Sequence, residues 1–273
     1  MSWNPLPKPL VRIAAALAAL TLPLAAGAAT PAQKGLAIAT EMDRRDEGWG
    51  DSEVALEMVL GNRQGETSTR ELRIRALEVP DPELGDRSLT VFDRPRDIKG
   101  TALLSHTRVL EADDQWLYLP ALKRVKRISS SNKSGPFVGS EFAYEDLLSQ
   151  EVAKYTYEWL RDEACAAGNA LPCFVVARYP QYKNSGYTKQ IVWIDRQEYR
   201  PMRIDYFDRK DALLKTLRMT QYRQYLGQYW RAHHWRMENL QTGKTTDLVY
   251  SDFQFRLGLN ENAFSSSRLK RVR

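Results

Sequence analysis

Three histidines occur in the chain, His106, His233 and His234. Consecutive residues of a strand point to opposite faces, so the adjacent pair is badly placed to chelate one metal ion. The sequence holds no G-x-S-x-G elbow, no H-E-x-x-H pair and no phosphate-binding P-loop. Acid pairs such as Asp113-Asp114 fall at turn-like positions, where carboxylates favour the loop conformation without any catalytic duty. These residue types do not argue for an enzyme, and no metal or cofactor is expected.

Cys165 and Cys173 are the two cysteines, separated by Ala-Ala-Gly-Asn-Ala-Leu-Pro. An even count in an oxidising compartment favours a disulfide over two free thiols, stapling the neck of a turn between strands. So small a closed ring stabilises by about 2–3 kcal/mol when unstrained. A redox centre is disfavoured, because C-x-x-C is missing.

A basic cluster, Lys123, Arg124, Lys126 and Arg127 with Lys133 beyond, offers binding chemistry. Within one strand, Lys123 and Arg127 would share one face and Arg124 and Lys126 the other. Such a segment either docks on anionic head groups or an acidic partner, or keeps an edge strand soluble. It is followed by a Ser/Gly-rich stretch and a predicted short helix over Glu141–Leu148 with Ser140 as its N-cap. Ser129–Leu148 reads as a mobile lid with Phe137 and Phe142 as its apolar contacts. The alternative is a surface loop that these phenylalanines anchor to the core.

The elements that must position these residues follow from periodicity. Pro31 to Arg45 reads as one helix. Alternation then dominates: Val54, Leu56, Met58 and Leu60 mark one strand, and a return strand runs from Thr67 to about Val79. Further strands are expected near 88–93, 101–111, 115–120 and 122–128. The second half holds strands near 154–161, 173–179, 188–195, 199–207, 212–225, 228–240 and 245–255. Short turns between sequential strands make antiparallel neighbours, and twist curls so wide a sheet toward a barrel or half-barrel. Several strands carry apolar residues on both sides: Trp116 and Tyr118 oppose Leu117 and Leu119, and Tyr155, Tyr157 and Trp159 oppose Leu160. Both faces must therefore be covered, or one must hold something apolar. A turn of helix near Asn260–Phe264 and a basic tail end the chain.

Residues 1–28 combine Lys8 and Arg12, an apolar run from Ile13 to Ala26 and a small-residue end, the pattern of a secretory signal. Cleavage between Ala28 and Ala29 is expected, leaving 245 of the 273 residues and lowering the formal charge from +6 to +4. That mild excess does not call for nucleic acid, which an exported protein rarely meets. Thirteen Tyr, eight Phe and seven Trp favour sheet over helix. The expectation is a signal peptide (1–28) followed by a single periplasmic domain (29–273).

The stretch Asp114-Gln115-Trp116-Leu117-Tyr118-Leu119-Pro120-Ala121-Leu122-Lys123-Arg124-Val125-Lys126-Arg127-Ile128 resembles a signature of the outer-membrane lipoprotein-sorting (LolA-like) family. Phe137-Val138-Gly139-Ser140-Glu141-Phe142-Ala143-Tyr144-Glu145-Asp146-Leu147 extends it, as do Trp193-Ile194-Asp195, Pro201-Met202-Arg203-Ile204 and Thr242-Gly243-Lys244-Thr245-Thr246. The resemblance spans about Gln33 to Phe264. It implies a mainly β fold, a single curled antiparallel sheet forming an unclosed half-barrel with covering helices, whose concave face binds acyl chains. It also implies association with inner-membrane RND-type exporters. The leading expectation is a carrier that moves a lipid or lipoprotein between the two membranes, with transient membrane contact. The rivals are a non-enzymatic adaptor or sensor of an exporter complex and, last, a hydrolase of envelope lipids. Lipoprotein, free lipid and hopanoid-like molecules all stay open as cargo.

Overall fold

The computed structural model describes Met1 and residues 29–81, 83–166 and 171–272; the expected signal segment, apart from Met1, lies outside them. Helix α1 (Pro31–Arg45) opens the fold. Thr30 and Gln33 close a capping box at its start, Pro31 stands in its first turn, and Arg44 and Arg45 pair with Glu41 in its last turns. Ile38 and Ala39 are buried. A Cβ on Gly35 would lie 2.7 Å from the Trp159 backbone nitrogen, so only glycine lets the helix lie this close to the sheet.

Fourteen strands form one open antiparallel sheet. The first six are β1 (Asp51–Gly61), β2 (Thr67–Leu77), β3 (Leu84–Arg94), β4 (Ala102–Arg108), β5 (Asp114–Leu119) and β6 (Arg124–Arg127). The rest are β7 (Tyr155–Ala164), β8 (Pro172–Pro180), β9 (Tyr187–Asp195), β10 (Pro201–Asp208), β11 (Leu213–Tyr225), β12 (Tyr229–Asn239), β13 (Thr245–Tyr250) and β14 (Gln254–Phe255). Their spatial order is β6-β5-β4-β3-β2-β1-β13-β12-β11-β10-β9-β8-β7, with β14 also on β1. Each half is a meander, and the pairing of β1 with β13 fuses them.

That order puts β6 and β7 at opposite edges although they are consecutive in sequence. Their connection, residues 128–154, must therefore cross from one edge to the other. It does so as a strap of 3₁₀ turns: Ser130–Asn132, Phe137–Gly139, Tyr144–Leu147 and Val152–Lys154. Of the short helix expected over Glu141–Leu148 only a 3₁₀ turn, Tyr144–Leu147, forms, and Ala143 rather than Ser140 stands at its N-cap; the Ser140 hydroxyl donates instead to the Phe137 carbonyl at 2.7 Å. Val138 adopts φ 45° and Gly139 φ 77°, which breaks any helical run here. The strap also spends its backbone groups on the sheet: Glu141 N donates to Thr246 Oγ1 at 3.0 Å, and the Glu141 carbonyl accepts from Lys215 Nζ at 2.8 Å.

Alternation gives the sheet two apolar faces. Leu56, Met58, Leu72, Phe92, Leu117 and Leu217 belong to the main core on the concave side, with Ile38 and Ala39 of α1. On the convex side Leu89, Val91 and Leu104 meet Phe264 and Leu269. The basic C-terminus is thus not a free tail: a 3₁₀ turn over Ser266–Arg271 buries Leu269 between its exposed cations. His106 helps hold it, with Nε2 2.7 Å from the Phe264 carbonyl and its ring edge-on to Trp116. A third cluster gathers Val175 and Trp193 around the Cys165–Cys173 disulfide, which staples β7 to β8.

Candidate functional site

The concave face encloses a hollow of about 1570 Å³. Its floor follows from cross-strand register, because residues level with one another share a face. Trp159, Val176, Val192, Ile204, Leu217 and Met237 stand level across β7–β12 as an apolar row, of which Val192, Ile204 and Leu217 line the hollow. Two positions along the same strands, Tyr157, Arg178, Gln190, Tyr206 and Lys215 form a parallel polar row. Ile74 and Val54 extend the apolar floor on the other half of the sheet. The C-terminal end of α1, the 78–86 loop and residues 148–152 overhang the opening.

The polar row is differently satisfied along its length. Lys215 Nζ is buried 2.6 Å from Asp146 of the strap, and Tyr187 Oη donates to the same carboxylate at 2.7 Å. Arg178 is 7% exposed and donates through Nε to Gln190 Oε1 at 2.6 Å. Burial first, then the nearby Asp146 charge, pushes the Tyr206 phenol well above its ordinary range, so it remains a neutral hydroxyl. Tyr157 is raised for the same first reason, and its hydroxyl donates to the Val152 carbonyl at 3.2 Å.

Acids gather where the strap meets the overhanging loops. Burial, then Asp86, raises Glu151 to about 7; burial also raises Asp86 to about 6. Asp113 behaves oppositely. Burial works to raise its carboxyl, but the Lys154 hydrogen bond and the charges of Lys154 and Lys133 outweigh that and hold it low. Lys133 Nζ sits 3.0 Å from Asp113, with Lys154 on the other oxygen, and all three side chains are buried. Removing one partner of such a group leaves a buried unpaired charge, so this triad ties the strap to the sheet.

The structure separates the residues singled out from sequence. Phe137 and Phe142 are buried in the main core: Phe137 packs on Phe92 at 5.6 Å and on Tyr144, and Phe142 faces Trp235 at 6.4 Å. Both belong to the packed core beneath the strap, and neither is among the residues that line the hollow. Lys123, Arg124, Lys126 and Arg127 are exposed at the β6 edge. Lys123 lies outside the strand, in the left-handed conformation after the Pro120–Leu122 turn, so it shares no strand face with Arg127. Arg127 pairs with Asp114. Lys133 does not belong to this set, because its ammonium is spent on Asp113 inside the protein. Cys165 and Cys173 are bonded to each other. Ala28 lies outside the described residues, and Ala29 just precedes the Thr30 cap.

Arg178, Gln190 and Tyr206 carry no sequence signal as a group. Each is one polar residue in an alternating strand, and only the register makes them neighbours. The histidines hold structural partners: His234 lies 2.8 Å from Asp247, and His233 lies between Tyr225 Oη and the Tyr250 carbonyl. Among the described residues no three His, Cys, Asp or Glu side chains converge as a metal site, and no helix is long and apolar enough to cross a membrane.

A family model described as an uncharacterized protein matches residues 85–271. No curated protein matches the chain. Among solved structures, an outer membrane lipoprotein-sorting protein domain from Vibrio parahaemolyticus is 57% identical over 88% of this chain and 100% of its own, with a TM-score of 0.84. A DUF1329 family protein from Desulfovibrio piger is 30% identical over 88% of this chain and 100% of its own, with a TM-score of 0.81. A LolA superfamily protein from Nitrosomonas europaea, 22% identical over 88% of this chain and 99% of its own, shares the fold with a TM-score of 0.67. With these relatives, the chain belongs to the outer-membrane lipoprotein-sorting protein family, and its unclosed antiparallel sheet is a LolA-like fold.

Proposed function

We propose that this protein is a non-enzymatic periplasmic carrier that shelters the acyl part of a lipid or lipoprotein while it moves between the inner and outer membranes. The observation that carries the reading is the hollow. At about 1570 Å³ it exceeds the roughly 300–1,000 Å³ of ordinary small-molecule pockets, and an aliphatic row lines its floor. Each methylene withdrawn from water stabilises by about 0.8 kcal/mol, so one partly sheltered chain suffices for binding. The lipoprotein-sorting description of the Vibrio parahaemolyticus relative supports the same reading. Mass spectrometry of solvent extracts from natively purified protein is expected to release acylated molecules. Consistently empty extracts would favour the adaptor reading, in which the fold serves an exporter complex without carrying cargo.

A carrier must also meet its donor. The exposed Lys123, Arg124, Lys126 and Arg127 are part of the proposal as a docking edge for an inner-membrane RND-type exporter or for the membrane beside it. Reversing all four to Glu is expected to slow lipid loading at low salt while sparing the binding equilibrium, because steering acts mainly on encounter. The difference should vanish at about 1 M salt, where the Debye length is about 3 Å. Unchanged loading in the quadruple variant would leave these charges only the task of keeping an edge strand soluble.

A further inference from the structure

Six cations line the hollow: Arg44, Arg45, Lys154, Arg178, Arg200 and Arg231. Five of them face carboxylates: Glu41 for Arg44 and Arg45, Asp113 for Lys154, Asp195 for Arg200 and Asp46 for Arg231. Arg178 forms no ion pair among the described residues, although it is 7% exposed. Its hydrogen bond among the described residues goes to a neutral amide, and the Tyr155 ring lies 5.2 Å from the guanidinium carbon. Burying a charge without a counterion costs several kcal/mol, so folds seldom keep one idle.

Its neighbours are donors too. Gln190 spends Oε1 on Arg178, which turns its amide nitrogen toward other acceptors, and it is 3% exposed. The Tyr206 hydroxyl, level with Gln190 on the next strand, has no protein hydrogen-bond partner among the described residues. A guanidinium, an amide and a neutral phenol thus stand side by side on three adjacent strands. Two residues along those strands, on the same face, the aliphatic row of Val176, Val192 and Ile204 begins.

We infer that Arg178, with Gln190 and Tyr206, is the binding site for the anionic head of a single-chain amphiphile, a carboxylate or a phosphate, whose acyl tail lies along Val192, Ile204 and Leu217. The inference rests on the carrier reading and narrows it: the cargo enters the hollow head and tail together, and the head is negative. The guanidinium's fork matches either oxyanion, and no other cavity cation lacks a carboxylate. Lys215, in the same row, is neutralised by Asp146 and competes poorly for an anion.

The test uses delipidated, full-length mature protein and displacement of a neutral fluorescent acyl probe by palmitate, methyl palmitate and palmitoyl-lysophosphatidate. Wild type is expected to bind at least one of the two anions about tenfold or more tighter than the ester, the size of one charged hydrogen-bonded contact. The stronger anion identifies the head group. Arg178→Gln should abolish that preference and leave ester affinity within about twofold, while Arg178→Lys keeps part of it. Because Arg178 has no ion partner to orphan, the Gln variant should unfold at no lower temperature than wild type. Equal binding of acid and ester by wild type, or a preference that survives Arg178→Gln, overturns the inference and leaves the carrier reading intact. If no acyl ligand displaces the probe, the carrier reading fails and takes the inference with it. Should Arg178→Gln not fold, the acid-against-ester comparison in wild type and Arg178→Lys still decides.

Discussion

Glu151 shows how a single residue carries the cost of the hollow. It is half-buried at the mouth, with Asp86 as its strongest neighbouring charge and Asp43 and Asp113 also raising it; Lys154 offsets only part. Its carboxyl is raised to about 7 and that of Asp86 to about 6, whereas the unfolded chain titrates both near the ordinary carboxylate values of about 4. Between those values the folded state holds more protons than the unfolded one. Stability contributed by these groups is therefore greatest at low pH and falls as pH rises from about 4 through about 7. Glu151→Gln removes the ionisation, so the variant should gain on wild type as pH rises. Urea midpoints at pH 5 and pH 8 measure this. A variant whose advantage does not grow between the two would show that the acids at the mouth do not strain the fold.

At the scale of elements, the strap decides how the hollow is closed. It exists because the chain leaves β6 at one edge of the sheet and must enter β7 at the other. Residues along its length reach separate strands: Lys133 meets Asp113 beside β5, Glu141 meets Thr246 of β13, and Asp146 meets Lys215 of β11. Phe137 and Phe142 lie between these polar ties as the hydrophobic part of the attachment, both essentially without solvent exposure. Truncating either to Ala is expected to cost about 3–5 kcal/mol, the usual range for a buried phenylalanine. Chemical denaturation gives that number directly. A loss below about 1 kcal/mol, accompanied by poorer lipid retention, would return both residues to the role of movable lid contacts.

For the whole molecule, an open sheet around a hollow leaves apolar area that a compact core would have buried. Cargo should supply the missing contacts. A ligand bound only by the folded state at a hundred times its dissociation constant stabilises by about 2.7 kcal/mol. For a domain of this size that amounts to a rise of several degrees in unfolding temperature, at about 2–4 °C per kcal/mol. Delipidated protein is expected to melt lower than natively purified protein and to recover when an acyl ligand is returned. Identical melting of both preparations, with lipid verified in one of them, would mean that the cargo does not bind inside the fold.

The sequence by itself determined what depends on neighbours along the chain. Pro31 and the spacing of Ile38, Ala39 and Met42 mark α1 at the residues where it lies. Alternation places most strands within a few residues, and the split of Trp116 and Tyr118 from Leu117 and Leu119 already separates the two faces. The cysteine pair and the family are legible too, because the two cysteines are separated by 8 positions and the family signature runs in consecutive residues. Tertiary structure alone decided what depends on which strands meet. Nothing local says that β1 pairs with β13, yet that pairing sends β6 and β7 to opposite edges and turns residues 128–154 into a strap. It also takes Lys133 from the surface to a buried carboxylate, because the strap passes over Asp113. Arg178, Gln190 and Tyr206 come from three strands, and hydrogen-bond register, a property of pairs of strands, brings them level.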